Sequence, residues 1–294
     1  MNTNEQASLV HNIASDGKAS KIRSLKNFAD DLSLTEKMPV LFLGHGSPMN
    51  AIDDNEFVQG FRNIGSQIEK PKAILVVSAH WETQGTYVTA MSNPPTIHDF
   101  GGFPQALFDV QYPAPGSPSL ALETQRLVKQ TEVHLDDKWG LDHGAWSVVK
   151  HLYPDADVPV IQLSIDYTKP ASYHYALSKE LAALRRKGVL IIGSGNIVHN
   201  LRMVSWQHLN SVGYAYDWAM EADSKMKQYI REGNHQPLIE FQKLGLAFQH
   251  AIPTPEHYLP MLYAIALQEN NEELTIFNDQ AVAGALTMTS VKIG

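Results

Sequence analysis

The heptapeptide VLFLGHG (residues 40–46) sets four large apolar residues in a row, without polar alternation, and then holds a histidine between two glycines. Two further stretches repeat the design. AILVVSAHW (73–81) and GVLIIGSGNIVHN (188–200) each open as a leucine-rich or β-branched run, pass through small residues and present a histidine. Unbroken apolar runs of this length are expected of strands buried on both faces, as in a parallel sheet. A fourth run, VPVIQLSID (158–166), has the same build but ends in Ser164 and Asp166.

Helical patterns lie between these runs: Glu56–Glu69, Pro118–Gln130 with its proline at the start, and Ala171–Lys187 ended by Gly188. Alternating strands and helices predict a single three-layer α/β domain, its central, mostly parallel or mixed sheet flanked by helices. Residues 214–233 and 235–245 read as further helices. Residues 254–269 read as another, capped by Thr254 with Pro255 at its first position. The last stretch, GALTMTSVKIG (284–294), alternates like a half-buried edge strand. No repeat or Pro/Gly-rich linker divides residues 38–294, so one domain is expected there. Residues 1–37 read as a flexible or weakly helical extension with one amphipathic stripe, Ile22, Leu25, Phe28 and Leu32. The aromatic loop 92–118 has a length more often functional than decorative.

Composition narrows the chemistry. The chain has 294 residues, 44% hydrophobic and 18% charged, as a soluble globule does. A net charge of −8 argues against nucleic acid or an anionic membrane as partner. No apolar stretch approaches the roughly 18 residues of a membrane span, and no targeting segment is evident, so a cytoplasmic protein is expected. The absence of cysteine excludes disulfides, thiolate metal ligands and thiol nucleophiles. Thirteen histidines are the outlying count.

In an open α/β sheet, ligands bind in the crevice outside the carboxyl ends of the strands. His45, His80 and His199 sit where their runs end, and neutral imidazole favours ions such as zinc and iron. His257, in TPEHY, is placed by the pattern in the first turn of a helix that can aim at the same crevice. His143, in WGLDHGAW, reads as an acid or base or as a packed loop residue; His98, in TIHDFGG, is similar. Competing motifs are missing: there is no G-x-G-x-x-G, no P-loop, no G-x-S-x-G elbow and no H-E-x-x-H. GSGN (193–196) is too short to cradle a phosphate.

The strings LFLGHGSPMN, VVSAHW, PPTIHDFGGFPQALFDVQYPAPGSP, WGLDHGAW, GSGNIVHNL and PTPEHYLPMLY, in this order, resemble the class III extradiol ring-cleavage dioxygenases of the DODA type over residues 38–294. The resemblance implies one α/β catalytic domain with its site at an edge of the sheet. It implies His45, His80 and His257 as metal ligands, with His199 as a further ligand or an acid/base. His143 would orient or deprotonate a catechol. Trp81, His98 and Phe103, with Pro94 and Phe100, are candidates for the substrate's walls, packing being the alternative for each aromatic. The implied partners are a catechol such as L-DOPA, cleaved at the 4,5 bond, and O₂, in a monomer or small homo-oligomer. Ring-cleaving relatives hold Fe(II) with two histidines and a carboxylate, whereas this chain offers mostly imidazole, with Glu256 the one carboxylate adjacent in sequence. A zinc-loaded form, with Fe(II) needed for turnover, is therefore expected. A zinc hydrolase using the same ligands is the alternative.

Overall fold

A computed structural model describes residues 35–294 except Asn210. The proposed amphipathic stripe at positions 22–32 lies outside the described residues. Eight strands form one mixed sheet: β1 (Val40–Gly44), β2 (Ala73–Thr83), β3 (Thr86–Thr89), β4 (Val133–Asp136), β5 (Val160–Asp166), β6 (Val189–Gly195), β7 (Leu274–Phe277) and β10 (Ser290–Ile293). Their order is β4-β3-β5-β2-β6-β1-β10-β7, and a separate two-stranded pair joins β8 (Ala281–Val282) to β9 (Leu286–Thr287). The four central strands β5, β2, β6 and β1 run parallel. β10 and β7 are antiparallel additions on one side, and β3 pairs antiparallel with β5 on the other.

The unbroken apolar runs are explained by two cores. Val40 and Phe42 of β1, Leu75 and Val77 of β2, and Ile191 of β6 pack on one face. Leu41, Leu43, Ile74, Val76 and Ile192 pack on the other. With side chains alternating along each strand, both faces are dry and both need apolar residues. The first face is covered by α2 (Pro118–Leu127), α4 (Ala171–Glu180), α5 (Asp217–Arg231), α6 (Leu246–Ala251) and α7 (Leu259–Ile265), which contribute Leu120, Leu177, Met226, Phe248 and Leu262. The second is covered by α1 (Glu56–Ser66) and α3 (His143–Leu152), through Phe61, Ile64, Trp146 and Val149. The expected three-layer α/β domain is thus the observed one. Among the described residues no helix is long and apolar enough to cross a membrane.

Three local expectations are corrected. The helix read over 171–187 breaks at Leu181 into Ala171–Glu180 and a single turn, Ala182–Arg185. The helix read from Thr254 starts only at Leu259, with Pro260 in its first turn, so His257 precedes the helix. There the His257 carbonyl accepts from the Asn196 N–H at 2.9 Å, and the Thr254 hydroxyl bonds the Glu256 carboxylate instead of capping. The C-terminal strand is not an edge. β10 inserts between β1 and β7 with Ser290, Val291 and Ile293 buried.

One charged cluster closes the base of the sheet. The Arg185 guanidinium is fully buried. Its Nε donates to Met38 O at 2.8 Å, its Nη1 donates to Leu267 O at 2.7 Å, and it pairs with Glu272, which also meets Lys37 at 2.8 Å. Partial burial pushes the Glu272 carboxyl up, but hydrogen bonds from Arg185 and Lys37 outweigh it and hold it at about 2. Because the folded-state value is depressed, the pair's contribution is present above the ordinary carboxylate range and is lost as pH falls toward 2. Glu272→Gln is expected to cost about 3 kcal/mol at pH 7 and to flatten the loss of stability between pH 5 and 3. Urea denaturation across that range measures both.

Candidate metal centre

Five histidines converge toward the carboxyl-terminal side of the parallel strands. His45 follows β1 directly, and Gly46 after it takes a positive φ of 63°, turning the chain into a single 3-10 turn capped by Ser47. His80 lies inside β2, three residues before the strand ends, because β2 continues past its apolar run to Thr83. His143 is the first residue of α3, whose N-cap Asp142 accepts from Ala145 N. His199 lies four residues beyond β6 and bridges to Leu286. His257 is laid against β6, where glycine is obligatory. A Cβ on Gly195 would stand 2.1 Å from the His257 carbonyl oxygen, and one on Gly193 2.1 Å from that of Pro260.

Ligand atoms of His45, His80 and His257 all lie within 4.8 Å of one another. The Nε2 atoms of His45 and His80 stand 3.2 Å apart. Two nitrogens bound to one tetrahedral ion at about 2.0–2.1 Å are separated by about 3.3 Å, so this pair fits a shared cation. The δ nitrogens turn outward to polar partners: His45 to Ser194 Oγ at 3.0 Å, His257 to Glu256 Oε1 at 3.3 Å, and His80 to Asp99 Oδ2 at 3.7 Å. This is the arrangement in which outer partners orient imidazoles around a metal. His199 groups with Glu256 and His257 rather than with His45 and His80, its ring stacked on His257 at 3.6 Å. His143 groups with His80 and Asp99.

Burial first, and then the neighbouring imidazoles, hold His45 and His80 well below the usual histidine range. Burial and then His257 hold His199 at about 3, against the opposing pull of Glu256. At neutral pH these rings are uncharged and offer lone pairs. Burial raises Asp99, but its contacts with His143 outweigh burial and leave it below the ordinary carboxylate range. Glu256 behaves alike: burial pushes it up, while bonds from His257, its own N–H and Thr254 bring it to about 2.

Asp99 carries the contact that sequence reasoning missed. Its Oδ1 accepts the His143 N–H at 2.8 Å, and its Oδ2 lies 3.0 Å from His143 Nδ1. Only its neighbour His98 had drawn attention, and loop 92–118 offers no periodicity to place either. His98 itself bonds Val110 O through Nε2 at 2.9 Å and packs among Phe100, Phe108 and Trp146, away from the cluster. Trp81, on the strand face opposite His80, is buried and stacked on Trp139. Phe103 meets Phe100, and Phe100 meets the His143 ring edge-on at 5.5 Å.

The glycine at 195 gives a test that leaves every nitrogen in place. Gly195→Ala is expected to displace His257 and weaken Zn(II) binding at least about tenfold, with the far-UV circular dichroism of the apo-protein retained. Competition against a chromophoric chelator measures it, and an unchanged affinity would detach His257 from the centre.

The catalytic LigB subunit of aromatic ring-opening dioxygenase matches residues 39–285. The 4,5-DOPA dioxygenase extradiol of Escherichia coli K12 is 47% identical over 271 residues, covering 90% of this chain and 98% of its own length. The protein of the same description from Beta vulgaris is 38% identical over 259 residues, covering 85% and 94%. A crystal structure of an uncharacterized Escherichia coli K12 protein superposes with a TM-score of 0.74 at 41% identity, covering 88% of this chain and all of that one. Metal dependence is a property of this family, and the histidine cluster is compatible with it. The chain therefore belongs to the LigB family of aromatic ring-opening dioxygenases and is an extradiol dioxygenase.

Proposed function

We propose that the chain opens the ring of a catechol bearing an amino-acid side chain, such as L-DOPA, at the 4,5 bond, with one divalent ion held by His45, His80 and His257. The observation that carries the proposal is the trio of imidazoles whose ligand nitrogens lie within 4.8 Å of one another, His45 and His80 facing through Nε2, together with the activity by which relatives at 47% and 38% identity are described. Both carboxylates near the cluster stand behind imidazoles, Asp99 at His80 and His143 and Glu256 at His257, which favours an all-nitrogen donor set. His199, stacked on His257, is the candidate fourth ligand or second base.

Held by His45, His80 and His257, a divalent ion would lower the pKa of the catechol hydroxyls, and Fe(II), unlike redox-inert zinc, would also supply the chemistry with O₂. The protein's part is proton handling and shape. Ionised Asp99 favours a proton on His143 Nδ1, which leaves Nε2 to take a hydroxyl proton and later to return one. Phe100, edge-on to His143 and buttressed by Phe103, is the candidate wall for the aromatic ring. His98, in contact with Phe100, is better suited to supporting that wall than to touching substrate, and Trp81, stacked on Trp139, to packing.

Two outcomes are expected. Apo-protein loaded with Fe(II) under argon, then given L-DOPA and air, should turn yellow with the semialdehyde product, and Zn(II) alone should not support this. Ester or amide hydrolysis with zinc and no colour with iron would instead favour the hydrolase. His143→Ala should keep one metal per chain and slow turnover about 10²–10⁴-fold; an unchanged rate would remove it from proton transfer.

A further inference from the structure

GSGN (193–196) is too short to cradle a phosphate, yet every one of its residues is engaged at the histidine cluster. Gly193 and Gly195 admit the carbonyls of Pro260 and His257. The Asn196 N–H donates to His257 O, its Nδ2 donates to Thr287 O at 2.8 Å, and its Oδ1 accepts from Gly46 N at 3.3 Å. Ser194, fully buried, donates its one hydroxyl proton to the carbonyl of Gly144, the second residue of α3. A hydroxyl whose proton is committed can only accept from its other neighbours. That other neighbour is His45 Nδ1, at 3.0 Å.

We propose that Ser194 is a positioning residue that fixes His45 as its Nδ1–H tautomer, presents the bare Nε2 to the metal, and ties this imidazole to the helix that begins with His143. The inference rests on the metal-centre reading given above. Without the hydroxyl, the His45 δ N–H would be a buried donor lacking an acceptor. Moving the proton to Nε2 relieves that. It would then point at His80 Nε2, 3.2 Å away, turning a pair of ligand atoms into a hydrogen bond. The metal would have to break that bond before binding. One hydroxyl also joins the metal-holding ring to α3, so the geometry between His45 and His143 depends on it.

Ser194→Ala is the test, with Ser178→Ala as its control. Ser178 is equally buried and also donates to a backbone carbonyl, that of Tyr263 at 2.6 Å, but it lies apart from the cluster. In ¹⁵N-labelled apo-protein, long-range ¹H–¹⁵N correlations should give the Nδ1–H tautomer for His45 in the parent and a shift toward Nε2–H in Ser194→Ala. Zn(II) affinity, by chelator competition, should fall about 10–100-fold in Ser194→Ala, stay within twofold in Ser178→Ala, and recover in Ser194→Thr if that variant matches the parent's unfolding midpoint. A parent His45 already in the Nε2–H form, or Ser194→Ala with parental tautomer and affinity, overturns the proposal. So does an affinity loss with no change of tautomer, which would leave the hydroxyl a packing role. A parent protein that takes up no Zn(II) refutes the metal-centre reading itself.

Discussion

Five imidazoles, three buried and two half-buried, form one cluster with neighbouring ring centroids 3.6–5.8 Å apart. On His45, His80 and His199 burial penalises a proton first and neighbouring imidazoles then repel it, which keeps these three rings uncharged. The crowding of these rings organises the surroundings. The ionised carboxylates Asp99 and Glu256 stand against the rings, Asp99 3.0 Å from His143 Nδ1 and Glu256 3.3 Å from His257 Nδ1. Asp142, nearer the core, is raised by burial and then by Asp99, and is bonded by Ser78 Oγ and Gln162 Nε2, each at 2.7 Å. The result is a nest of imidazole nitrogens lying close together, compatible with a metal ion.

Backbone proximity does as much as side-chain chemistry. Neither His199 nor His257 sits on a regular element, so each depends on what its segment lies against. For His257 that is the glycine-lined surface of β6; for His199 it is the bridge to Leu286. Gly144 serves similarly at α3, where a Cβ would meet Ser78 Oγ at 2.5 Å and His80 Cδ2 at 2.8 Å. Glycines within β6 and in the first turn of α3 are thus close-approach sites for the segments that carry the chemistry.

The strands were legible because each is buried on both faces, and that removes polar alternation from the sequence. The convergence of His45 and His80 was legible because both lie toward the carboxyl ends of parallel strands, and the family likewise from strings that frame these residues. Asp99 was not, since it acts on a residue 44 positions away from a loop without period. The late start of the helix after His257 was hidden for a related reason: its carbonyl is claimed by Asn196, a tertiary bond that no capping rule anticipates. In the last strand the alternation was read with the right period but the wrong neighbours, because pairing partners are not written locally.

The insertion of β10 beside β1 has a consequence for synthesis. The strand that delivers His45 is flanked by β6, about 150 residues later, and by β10, made from the final residues of the chain. Gly44 N, next to His45, donates to Ser290 Oγ. During synthesis this strand's surroundings are complete only once residues 290–293 have emerged, and the imidazole set is partial until position 257 has. Order of such long range forms late and slowly. A product that stops short of residue 257 carries scattered histidines but lacks the cluster they form.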